Sequence, residues 1–191
     1  MKKVTLSIVA VLVFYFSSFS QTDSKTAFHA VTIDIKDFAL IDIEGPGNNT
    51  SIKLESTTPT EAGLGINFDN ASNNTLWLNY SSVVAKGKTR KITAKVDGTL
   101  PDGVDLMLKA NTYSGNGKGQ KGQPSNVAAQ KLTSGETEII NNIKSCYTGN
   151  GVNNGHNLEY SLRFKDGSED NAYNELESGT FNINVTYTVS E

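Results

Sequence analysis

The side chains best suited to holding an ion lie in one acidic stretch. Asp166, Ser168, Asp170 and Glu177 fall at positions 1, 3, 5 and 12 of the loop template that wraps calcium in oxygen ligands. Asn171 stands where that template wants glycine, and asparagine tolerates the same left-handed turn. The helices that frame such a loop are absent from the pattern, because Leu158, Tyr160, Leu162 and Phe164 alternate with Glu159, Ser161 and Arg163 as a strand does. Calcium at these four residues is one expectation, and a solvated connection between the last two strands is the other. Trp77 offers a different chemistry: it has the opposite parity to Leu76, Leu78 and Tyr80, so it points to the polar side of its strand, beside Asn79. An outward indole stacks on a sugar ring or meets another subunit, when it does not simply pack beneath a loop.

The remaining reactive groups do not assemble into a recognisable centre. His29 and His156 are the only histidines and Cys146 the only cysteine, too few for a His/Cys zinc site within one chain. His29 shares the parity of Val31 and Ile33 and is expected on or beside a packed strand face, His156 belongs to a Gly/Asn loop, and Cys146 reads as a small buried hydrophobe. Gly117-Lys118-Gly119-Gln120-Lys121-Gly122 has the glycine spacing of a dinucleotide loop, but Pro124 and Ser125 follow where a helix must start. No Gly-x-Ser-x-Gly elbow supports a nucleophilic triad, and scattered carboxylates discriminate nothing. The expectation is a protein that is not an enzyme, with no catalytic residue and no cofactor other than that calcium.

The elements that must position these residues are strands. Phe181, Ile183, Val185, Tyr187 and Val189 alternate with Asn182, Asn184, Thr186 and Thr188, giving one apolar face and one wettable face. The same period recurs at Val31, Ile33 and Ile35, at Ala39, Ile41 and Ile43 up to Gly45-Pro46-Gly47, at Ile52 and Leu54, and at Leu64, Ile66 and Phe68. It returns at Leu76, Leu78 and Tyr80, at Ile92, Ala94 and Val96, and at Val104, Leu106 and Leu108, with weaker runs over 126–132 and 137–143. Residues 113–125 and 148–157 are rich in Gly and Asn and read as long irregular loops, where binding usually sits. The pattern predicts an all-β chain, a single immunoglobulin-like antiparallel β-sandwich of roughly nine or ten strands, with helix near zero.

Met1, Lys2 and Lys3 precede an apolar run over 4–16, and Ser18-Phe19-Ser20 supplies small residues before Gln21. Residues 1–20 are therefore expected to be a cleaved signal peptide, leaving 21–191 as one secreted domain, periplasmic or at the cell surface. The apolar run is shorter than the roughly 20 residues of a membrane span, no cysteine follows it to carry lipid, and no hydrophobic tail closes the chain. Cleavage removes two lysines and no acid, moving the formal charge from −3 to −5, which disfavours nucleic acid as a partner. One cysteine leaves no internal disulfide, so packing and sheet hydrogen bonds must hold the fold.

Several strings together resemble exported bacterial pilin-like β-sandwich subunits of the spore-coat-U-like and common-pilus-like kinds. They are Leu76-Trp77-Leu78-Asn79-Tyr80, the basic alternation from Arg90 to Val96, the turn Leu100-Pro101-Asp102-Gly103, and the closing run from Glu177 to Tyr187. They cover about half of the mature chain. The resemblance implies secretion and a sandwich completed by an extended N-terminal segment from the next subunit, here Val31, Ile33 and Ile35. These residues equally suit the first strand of their own sandwich. The chain departs from the pattern in lacking a disulfide and a chaperone signature. Two functions are expected: a structural or adhesive surface subunit joined to other copies or related subunits by β-strand addition, or a monomeric binding module for glycan at Trp77, with or without calcium.

Overall fold

β-branched and aromatic residues at every second position make strands wherever both faces find a use, and in the computed structural model, which describes residues 25–191, they do so nine times. The strands are β1 (Phe38–Glu44), β2 (Ser72–Val83), β3 (Arg90–Asp97), β4 (Val104–Ala110), β5 (Lys118–Pro124), β6 (Gln130–Lys131), β7 (Thr137–Tyr147), β8 (His156–Phe164) and β9 (Asn184–Ser190). The expected export segment, 1–20, lies outside the described residues. Residues 25–34 carry no helix or strand and are exposed throughout, and residues 35–191 form one compact unit.

All pairings are antiparallel, and the strands run β6-β4-β8-β2-β7-β3-β9, with β1 on β2 and β5 on β7. β2 turns the corner between the two layers. Its first half pairs with β8, from Ser72↔Ser161 to Leu78↔His156, and its end passes to β7 at Ser81↔Tyr147 and Ser82↔Cys146. A register shift between Asn73 and Leu76 supplies the bend that such a strand needs. Leu76, Leu78, Leu106, Leu108 and Leu158 then face Ile92, Ala94, Ile140 and Ile143 in one buried core. The all-β antiparallel sandwich follows from the alternation as expected.

The differences are local. Val31, Ile33 and Ile35 form no strand, so the first strand is β1; Ile52 and Leu54 stay outside any ladder, and the 64–68 run makes only the bridge Thr57↔Asn67. Residues 118–124, expected as loop, are strand β5: Lys-Gly-Gln-Lys-Gly-Gln has no apolar residue to reveal the period. Its glycines are there for contact, since a Cβ on Gly119 (φ +81) would lie 2.2 Å from the Ser145 carbonyl. Helix is slight but present between β8 and β9, where a four-residue helix α1 (Glu169–Ala172) sits between 3-10 turns at Lys165–Gly167 and Tyr173–Glu175. Among the described residues no helix is long and apolar enough to cross a membrane.

Candidate functional site

A sheet edge is a row of unpaired amides and carbonyls, and proteins usually guard it. The edges on one side of this sandwich are guarded: β6 is two residues long, and β5 carries Lys118, Lys121, Pro124 and a break in register between Gly119 and Lys121. Of the other two edges, β1 pairs with β2 over seven unbroken positions and carries Asp42 and Glu44, the Asp42 carboxylate accepting from the Ile43 amide. β9 pairs with β3 over seven more and is bare, without a charge, a proline or a glycine in its sequence. β1 and β9 approach one another but do not pair.

Between these edges the core is incompletely covered. Ile41 and Ile43 of β1, and Ile183, Val185, Tyr187 and Val189 along β9, point inward yet remain half-buried. Ile43, Ile183, Val185 and Tyr187 among them border a groove of about 990 Å³ whose floor is Leu76, Leu106, Tyr160 and Leu162. The Tyr160 and Tyr187 hydroxyls hydrogen-bond to each other at its base, tying β8 to β9. Burial pushes the Tyr160 hydroxyl up to about 12 and Tyr187 well above its ordinary value, so both stay neutral.

Arg90, 8% exposed, lies outside the lining of the groove and clamps the strands beyond it: Nη1 donates to the Phe38 carbonyl at 2.7 Å, to Val83 O at 3.0 Å and to Ser82 Oγ at 3.0 Å, and Nη2 meets the Asp37 carboxylate. This binds the start of β1 to the start of β3, where β9 ends at Lys91↔Ser190. Ile43 and Asn184 border the groove itself, and residues 50–56 form part of its wall.

The expected calcium residues sit on separate elements. Asp166 lies in a 3-10 turn at φ +52 with its carboxylate 2.9 Å from Lys131 Nζ, Ser168 precedes α1, Asp170 is in the first turn of α1, and Glu177 borders the groove. Among the described residues no group of three or more His, Cys, Asp or Glu is placed to hold a metal ion. Beside Asp166, the buried Asp105 takes Lys131 at 2.6 Å, Arg163 at 3.1 Å and the Asp166 amide at 2.9 Å. Burial alone would raise its carboxyl, but these partners, Lys131 foremost, hold it below the usual range. This cluster pins the β8 to α1 connection to β4.

Trp77 is half-buried on the outer face, as its parity requires. Register places it between Glu44 of β1 and Asn157 of β8, with Asn111 beyond, so one row crosses four segments of the sheet. Val31, Ile33 and Ile35 are 70, 81 and 77% exposed, and Phe28 is fully exposed. His29 is exposed and outside any strand, whereas His156 is not in a loop: it begins β8, fully buried.

The His156 Nδ1 lies 2.7 Å from the Asn111 carbonyl, which fixes a proton on Nδ1, and Nε2 lies 3.0 Å from the Tyr80 hydroxyl, itself bonded to the Lys121 carbonyl. Burial lowers the imidazole pKa despite these carbonyls. Cys146 is buried nearby and its thiol is pushed up to about 11 by the same desolvation, which suits packing rather than reactivity. The loops around this network close on one another: Tyr113 donates to Thr148 O at 3.0 Å and accepts from the Gly117 amide, and Ser114 bridges Gly155. What sequence reasoning missed is Arg90, although it shares the inward parity of Ile92, Ala94 and Val96, a charge on an apolar face that signals a buried anchor. Set against family models, curated proteins and solved structures, the chain matches none of them.

Proposed function

We propose that the protein is a secreted, non-enzymatic surface subunit, structural or adhesive, that joins other copies or related subunits by β-strand addition. The observation that carries this reading is the coincidence of one unguarded edge, β9, with an apolar groove beside it, while β5 and β6 are guarded. The occupant is a second copy's segment bearing Val31, Ile33 and Ile35. Its side chains alternate, are exposed by 70% or more, and otherwise leave an apolar row in water. Five residues at about 3.3 Å each give a strand of roughly 17 Å, shorter than the seven-residue edge of β9 that would receive it. Export is supported by the composition of residues 1–20.

The test is a denaturing gel of protein from its native producer, unboiled and boiled. Strand-exchanged polymers give a ladder that collapses to one band on boiling. Replacing Ile33 and Ile35 by Asp removes the ladder and leaves a folded monomer, with stability changed by about 0.5 kcal/mol or less because both side chains lie outside the core. A monomer band in both lanes for the wild-type chain ends this reading.

The row Glu44, Trp77, Asn157 and Asn111 favours a second reading, a glycan-binding module. An indole for stacking is flanked there by the Glu44 carboxylate for sugar hydroxyls, while the Asn157 amide, bonded to the Asn74 and Leu76 carbonyls and to Asn111, braces the row. Trp77→Ala then abolishes retention on a glycan column while the circular dichroism of the sheet is unchanged; equal retention rejects Trp77 as the platform.

A further inference from the structure

Residues 50–56 have the sequence of a strand and the surroundings of a strand, but not its hydrogen bonds. Ile52 and Leu54 point at the core and are half-buried in the groove. Lys53 and Glu55 point outward and pair with each other at 2.5 Å, with side chains 77 and 69% exposed. The segment is tethered at both ends: a turn at Pro46–Asn48 precedes it, and Thr57 follows with a two-bond bridge to Asn67, at 2.8 and 3.1 Å. Between these tethers, the Ser51 amide is satisfied locally by Asn49 Oδ1, and no backbone hydrogen bond joins residues 52–56 to either sheet.

A segment held only by two half-buried aliphatic side chains is bound far less firmly than a strand that adds a ladder to the same burial. We propose that residues 51–56 are a built-in plug of the acceptor groove, which covers part of its core in the lone subunit and is displaced when a second copy's strand enters. The proposal rests on the strand-addition reading and adds its regulation. The plug keeps the bare edge of β9 and the open core beside it from associating at random before the right strand arrives. It lies along the groove with Ile43 and Asn184, where a strand entering beside β9 would meet it. Its tethers let it swing out without unfolding β1, whose ladder to β2 stays intact.

The experiment uses the full mature chain carrying Ile33→Asp and Ile35→Asp as acceptor, and a fluorescent peptide of residues 28–37 as probe. The expected result is slow peptide uptake that becomes about ten-fold faster when Ile52→Ser and Leu54→Ser loosen the plug. In the acceptor with the native plug, peptide uptake should also speed tryptic cleavage after Lys53, because the displaced segment becomes fully accessible. This second readout decides the matter if the loosened variant fails to fold. Uptake at equal rates with both acceptors, or cleavage after Lys53 that slows or stays constant on uptake, overturns the plug while leaving strand addition standing. Uptake by neither acceptor overturns strand addition, and the plug with it.

Discussion

His156 is buried with Nδ1 donating to the Asn111 carbonyl and Nε2 beside the Tyr80 hydroxyl, and its pKa is lowered because burial disfavours the imidazolium. The unfolded chain, near 6.5, therefore binds the proton more readily than the folded one. Stability is full above about 6.5 and falls as pH drops through the window between 6.5 and the depressed folded value. Urea midpoints should thus decline from pH 7.5 to pH 5.5, and His156→Gln should flatten that slope; an equal slope in the variant rejects the assignment. Asp105 acts lower on the scale. Its carboxyl is held below the ordinary value, so its contribution is present above about 4 and is lost as pH falls further. Arg90 carries a third expectation: Arg90→Met strands the Phe38 and Val83 carbonyls and the Ser82 hydroxyl and removes the ion pair to the half-exposed Asp37, and should cost about 2–4 kcal/mol by denaturant unfolding.

At the level of elements, glycine positions separate contact from conformation. Gly119→Ala forces a Cβ to 2.2 Å from the Ser145 carbonyl and should loosen β5 from β7, costing about 2 kcal/mol or more. Gly87→Ala, at φ +84 with nothing within 4 Å, should cost only about 1 kcal/mol for the left-handed backbone. Thermal melts of the two variants should rank in that order. The same contrast explains how far the chain could be read from its residues. β3, β4, β8 and β9 were legible because apolar residues mark one face, whereas β5 was hidden because a strand held to the edge of β7 by its backbone ladder and the Gln120 amide needs no apolar side chain. Ile52 and Leu54 misled for the opposite reason. They carry the period without the partner, and alternation reports burial of side chains rather than pairing of backbones. His156 read as loop because its neighbours are Gly and Asn, while its partners Tyr80 and Asn111 lie 76 and 45 residues away.

For the whole molecule, the candidate site is a property that no local window contains. Half-exposure of Ile43, Val185 and Tyr187 arises only when β1 and β9 come together without pairing, so their residues were foreseeable as core and the opening between them was not. Chains with the exposed alternating segment should associate as concentration rises, and the Ile33→Asp, Ile35→Asp chain should sediment as a monomer throughout; association of the variant to the same extent refutes the donor role. The separation of giving and receiving surfaces bears on the form such an assembly would take. The exposed segment at 31–35 and the groove beside β9 are different surfaces. Two copies that exchange reciprocally would close into a pair, whereas one-way exchange would repeat head to tail. Each added subunit would then present a fresh acceptor, and a fibre built this way would have a growing tip and a distinct base.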